Sequence, residues 1–183
     1  SSLTSIGQNA FSGCSGLTGE LVIPEGVISI GNFAFSDCSS LTGELVIPKG
    51  VENIGNSAFQ NCTSLESVSL PSSLISIGDS AFSYCSGLTG ELVIPEGVTS
   101  IGSDAFSGCS GFTGELKIPE GVTSIESSAF QSCSGLTSVS LPSKLTSIGS
   151  SAFNGCSGLT SVSLPSSLTS IGSDAFSGCI GLT

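Results

Sequence analysis

A cysteine recurs every 23 or 24 residues along the whole chain, at positions 14, 38, 62, 85, 109, 133, 156 and 179. Everything else keeps the same beat. Ala-Phe precedes each cysteine by a fixed offset, from Ala10-Phe11 to Ala175-Phe176. Prolines fall at 24, 48, 71, 95, 119, 142 and 165. A unit this short cannot bury an apolar face alone, but stacked units share a continuous core. The period therefore confines the chain to a solenoid.

Two kinds of unit occur. The 23-residue kind carries Ser-Val-Ser-Leu-Pro, as at 138–142, and the 24-residue kind carries Gly-Glu-Leu-Val-Ile-Pro, as at 19–24. A longer period lies above them: residues 1–71 align with 72–142 without a gap, with 51 identities, and 143–183 begin a third copy. Most of the differences exchange surface residues, such as Gln8 for Asp79. Three do not: Leu41 becomes Phe112, Val46 becomes Lys117, and Gly55 becomes Glu126.

The pattern within a unit suggests where each piece lies. In Glu20-Leu21-Val22-Ile23 the alternation turns Leu21 and Ile23 inward and Glu20 and Val22 outward. Proline lacks an N–H, so the ladder should stop there. Thr-Ser-Ile-Gly, as at 99–102, reads as a second short strand. Ser-x-Ala-Phe-x-x-Cys fits one helical or 3₁₀ turn, too short for an independent helix. The inward set of the first complete turn is then Leu17, Leu21, Ile23, Val27, Ile30, Ala34, Phe35 and Cys38. The expected fold is a mostly β, right-handed solenoid of about 7.5 turns over residues 1–183. It should have short parallel strands, one short helical turn per repeat and a single buried phenylalanine column.

The segment L-x-x-V-x-L-P-x-x-L at 136–145 resembles the leucine-rich-repeat core. Its continuation T-S-I-G-x-x-A-F-x-x-C resembles the BspA-like, or Treponema-type, leucine-rich repeats, in register over essentially the whole chain. Glu126 departs from this pattern, in which Gly follows Ile, and so raises the question of whether that position needs a positive φ. The resemblance implies an extracellular or cell-surface protein with a role in adhesion or protein binding. It brings no catalytic residues.

Composition narrows the chemistry. The chain has no His, Met or Trp, and three Lys against fourteen acids give a net charge of −11. Nucleic acid is excluded as a partner on charge, and His-dependent catalysis on content. No apolar run approaches the roughly 20 residues of a membrane span. A nucleophilic serine needs a base, and Lys49, Lys117 and Lys144 sit at variable, outward positions, so no enzyme and no cofactor are expected. Close cysteine pairs of the zinc-binding kind are absent, and equivalent cysteines in a stack point in parallel, which is poor disulfide geometry. A reduced, buried ladder of thiols is expected. Glu20 with Glu44, and Glu91 with Glu115, occupy one position in neighbouring turns, while Glu25, Lys49, Glu96 and Glu120 follow prolines. These acids read as solvation and as protection against edge association, although stacked carboxylates could also attract Ca²⁺ or a cationic partner. Asn61-Cys62-Thr63 is the single N-x-[ST] match and makes Asn61 a candidate glycosylation site.

Two functions fit. One is a surface binding module whose strand face presents Val22, Val46, Ser69, Val93, Lys117, Ser140 and Ser163 in a row, with a protein as ligand. The other is a structural scaffold or filament subunit that self-associates through the solenoid ends. Neither end of the sequence carries a polar capping turn, which solenoids need for solubility. The expectation is an excerpt of a longer array, with end-to-end stacking second.

Overall fold

The computed structural model describes residues 3–183. The chain winds into stacked turns, here numbered one to seven and spanning 17–40, 41–64, 65–87, 88–111, 112–135, 136–158 and 159–181. Each turn has three sides. The front strands are Gly19–Glu20, Leu41–Val46, Leu65–Ser69, Gly114–Lys117, Leu136–Ser140 and Ser161–Val162. The back strands are Ser5–Ile6, Ser29–Ile30, Asn53–Ile54, Ser76–Ile77, Ser100–Ile101, Ser124–Ile125, Ser147–Ile148 and Ser170–Ile171. Every pairing is parallel and joins neighbouring turns.

The third side differs from the sequence expectation. Among the described residues none is helical, and the Ala-Phe segment is a run of turns. Two residues per turn hold a left-handed backbone, for example Phe33 at φ 56° and Asp37 at φ 60°. A helix needs consecutive right-handed residues, so the segment closes instead into tight turns with positive φ at the third position. Ala34 N–H donates to the Gly31 carbonyl at 3.3 Å, and Cys38 N–H to the Phe35 carbonyl at 3.2 Å. The intervening amides of Phe33, Phe35 and Asp37 point along the stack and donate to the carbonyls of Asn56, Ala58 and Gln60, each at 2.8 Å. Every second amide thus closes its own turn, and the others tie it to the next. This arrangement forms a third ladder.

Between the three sides lies one core. Ile23, Val27, Ile30, Ala34, Phe35 and Cys38 of turn one are buried, and their equivalents follow turn by turn. Leu21 is partly buried, whereas Leu17 is exposed at the end of the stack. The phenylalanines form the expected column, with ring centroids 5.1–5.6 Å apart and planes within 9° of parallel. That spacing falls inside the favourable range for offset stacking. Phe35 through Phe153 are fully buried, Phe176 is partly so, and Phe11 at the first end is 42% exposed.

The glycine after each back strand answers the question raised by Glu126. Gly31, Gly55, Gly78, Gly102, Gly149 and Gly172 do not need positive φ. They need the absence of a side chain. A Cβ on Gly55 would stand 2.5 Å from the Gly31 carbonyl carbon and 2.6 Å from Asn32 N. Successive turns touch backbone to backbone here.

Candidate binding face

All seven residues of the proposed row are exposed on the front of the stack. The front ladder brings two pairs of them into register, Val46 with Ser69 and Lys117 with Ser140. The alternation that buries Leu45 and Leu116 turns Val46 and Lys117 outward. The three valines stand well clear of the surface, Val22 at 77%, Val46 at 46% and Val93 at 68% relative exposure. Exposed aliphatic side chains are individually ordinary, but these share one face.

Carboxylates border the row, though not stacked as the repeat suggested. The front ladder pairs Glu20 with Thr42, two residues short of Glu44. Glu44 pairs instead with Ser67, after a register shift at Gly43, and Glu115 pairs with Ser138 after a similar shift. The positive φ of Gly43, 76°, and of Gly114, 78°, accommodates the extra residue of the longer unit as a bulge. Where one 24-residue unit lies on another, the Glu-Leu-Val pieces therefore separate, and the like charges escape a direct pairing. The gap between turns one and two is a shallow cleft of about 130 Å³ lined by Glu20, Val22, Glu25, Glu44 and Val46. Lys117 reaches Glu115 at 3.7 Å, and both side chains are exposed. This pair contributes little to stability. Among the described residues, no group of acids or cysteines is arranged to hold a metal ion.

The cysteines are free thiols. Each from Cys38 onward donates its S–H to a phenylalanine carbonyl of the preceding turn, at 3.0–3.2 Å, beginning with Cys38 to Phe11 and ending with Cys179 to Phe153. Burial disfavours the thiolate. It pushes Cys62 and Cys156 up to about 12, and Cys85, Cys109 and Cys133 well above their ordinary value. A thiolate is the reactive form, so the column is chemically quiet. Cys14 is the exception to the expected burial, being half-exposed at the end of the stack.

Asn61 occupies a left-handed turn position, φ 58°, and its side-chain amide donates to Asp37 Oδ1 at 2.7 Å. Lys49, Lys117 and Lys144 are exposed. Two exposed aromatics escaped the sequence reading, Phe33 and Tyr84. Both sit at the left-handed positions of the turn ladder. The available signal was their replacement of the Ser, Gly, Asn or Asp found at those positions in other turns. No helix of the described residues is long and apolar enough to cross a membrane.

The pattern that defines the family described as "BspA type Leucine rich repeat region" matches residues 1–113 and 88–183, in 6 copies. No curated protein matches the chain. Among solved structures, a leucine-rich repeat protein of T. pallidum is 34% identical, with a TM-score of 0.78 over 86% of this chain and 72% of that one. A leucine-rich cell surface protein of Faecalibacterium prausnitzii is 33% identical, with a TM-score of 0.63. The match covers 99% of this chain but only 56% of that one, so the chain spans little more than half of this relative's length. A leucine-rich repeat protein of Eubacterium ventriosum shares the fold at 21% identity and a TM-score of 0.62, over 94% of this chain and 67% of that one.

Proposed function

Because the chain belongs to the BspA-type leucine-rich repeat family, we propose that it is a non-enzymatic protein-binding module of the extracellular or cell-surface space, used in adhesion, and that its front face is the contact surface. The family and the solenoid fold are typically non-enzymatic. The observation that carries the reading is the exposed front row, with Val22, Val46 and Val93 standing clear of the surface beside Glu20, Glu44, Glu91 and Glu115. Aliphatic contacts with an acidic border suit a partner that offers apolar side chains and positive charge. The surface description of the F. prausnitzii relative supports the location.

The test is surface plasmon resonance against immobilised extracellular-matrix proteins. Replacing Val22, Val46 and Val93 together by Glu should weaken binding at least tenfold, while far-UV circular dichroism stays unchanged. Binding unaffected by the triple replacement would remove this face from the proposal.

A further inference from the structure

The junction between turns four and five lacks bonds that the neighbouring junctions have. On the back side, the amide that follows each back strand normally reaches the preceding turn. Gly31 donates to Ile6, Gly55 to Ile30, Gly78 to Ile54, Gly102 to Ile77, Gly149 to Ile125 and Gly172 to Ile148, all at 2.7–3.0 Å. The one member missing from this series is Glu126 to Ile101. The back sheet ends at Ser100–Ile101, and a new one starts at Ser124–Ile125.

The cause is steric. The equivalent glycines would each place a Cβ 2.4–2.8 Å from the backbone of the turn before, as Gly149 would against Ser127 N and Glu126 C. Glu126 carries a real Cβ, which by the same relation faces Gly102 and Ser103. Turn five must stand off. A side-chain relay along this corner also ends here. Asn32 Oδ1 accepts from Asn56 N–H, Asn56 Oδ1 from Asp79 N–H, and Asp79 Oδ1 from Ser103 N–H, at 2.8–3.0 Å. Ser103 cannot extend it in the same way.

The front side of the same junction is also thin. Turn four holds no front strand, and only a bridge between Gly90 and Phe112 joins it to turn five, with Thr113 N–H donating to the Gly90 carbonyl at 2.7 Å. Leu92, Val93 and Ile94 make no backbone hydrogen bond to either neighbouring turn. Inside, Phe112 replaces the usual leucine and meets Phe106 edge-on at 6.2 Å, and the Phe106–Phe130 spacing, 5.6 Å, is the widest of the column. The turn ladder alone is intact. Asp104, Phe106 and Gly108 donate to Ser127, Ala129 and Gln131 at 2.8–2.9 Å.

We propose that this junction is a built-in hinge. The turn ladder is its axis, and turns one to four and five to seven are the two bodies. Opening exposes little new backbone, because the bonds it would break on the front and back are largely absent. The hinge divides the front row between Val93 and Lys117, so its angle sets the curvature offered to a partner. Amides without a ladder partner open most easily, which makes the device measurable without any ligand.

Two readouts on the full chain test it. In hydrogen exchange, the amides of segment 123–126 should exchange at least tenfold faster than those of the equivalent segment 146–149. Glu126→Gly should slow them to match. In the second readout, spin labels are placed on Ser69→Cys and Ser140→Cys, in a Cys14→Ala background whose other thiols are buried. Their distance distribution should be broader than that of a Val22→Cys and Ser69→Cys pair lying within one body, and Glu126→Gly should narrow it. Equal exchange in the compared segments, or a Glu126→Gly protein with unchanged exchange, overturns the proposal. So does slowed exchange without narrowing, which would mark a local fray.

Discussion

Gly7 and Gly55 both follow Ile at the end of a back strand, yet replacing them by alanine should have opposite effects. A Cβ on Gly55 would lie 2.5 Å from the Gly31 carbonyl carbon, 2.6 Å from Asn32 N and 2.8 Å from Asn32 Oδ1. Ordinary carbon contacts sit near 3.5–4.0 Å, so turn two must retreat by roughly 1 Å. Two hydrogen bonds are at stake, Gly55 N–H to Ile30 O at 3.0 Å and Asn56 N–H to Asn32 Oδ1 at 2.8 Å. Each contributes about 1 kcal/mol, and overpacking adds about 1–3 kcal/mol. Reduced freedom of the unfolded chain returns about 0.4–1 kcal/mol. The net expected loss for Gly55→Ala is about 2–4 kcal/mol. At about 2–4 °C per kcal/mol for a chain of this size, the melting temperature should drop by about 4–16 °C. Gly7→Ala meets nothing within 4 Å and no positive φ, so it should be neutral or stabilise by up to about 1 kcal/mol. Urea denaturation followed by far-UV circular dichroism reads both, with the slope checked because solenoids can unfold in parts. A Gly55→Ala effect within about 0.5 kcal/mol of Gly7→Ala would refute the backbone-contact argument.

Ser132 is exposed at φ 59°, a position where Gly108, Gly155 and Gly178 stand in other turns. Ser132→Gly should stabilise by about 0.5–1 kcal/mol, the left-handed cost of about 1–2 kcal/mol less the entropy of glycine, and a urea midpoint that falls would contradict this. Alkaline pH should unfold the chain steeply. The folded thiols of Cys62, Cys85, Cys109, Cys133 and Cys156 are pushed up by burial, to about 12 for Cys62 and Cys156, so above the free thiol value the unfolded state binds fewer protons. Stability is complete below about pH 8.5 and falls as pH rises, by up to about 1.4 kcal/mol per pH unit for each thiol. A denaturation series between pH 8 and 11 that stays flat would refute it. With a thiol reagent at pH 8, Cys14 should react first in the native protein and all eight only after denaturation; several fast native thiols would show the column to be open.

The repeat made the solenoid legible, because equal units with inward Leu, Ile, Ala, Phe and Cys have one way to share a core. The outward row from Val22 to Ser163 followed from simple alternation, and the quiet thiols from the stacking of equivalent cysteines. Local periodicity could not show what the Ala-Phe segment does. Its spacing suits a helical turn, but the left-handed residues at Phe33 and Asp37 spend alternate amides on the neighbouring turn, and only stacking supplies those partners. Nor could it show that Glu20 misses Glu44, since the register of a front strand depends on the length of the unit above it. Gly55 and Glu126 are the clearest case. The sequence marks the substitution as unusual. Its consequence, a missing bond to Ile101, exists only because two backbones meet there at a distance that leaves no room for a Cβ. Composition and period determine which side chains face inward, because each unit must hide the same apolar set. Contacts between turns decide where the stack is tight and where it yields, because they join residues 22–24 apart whose fit no single unit encodes.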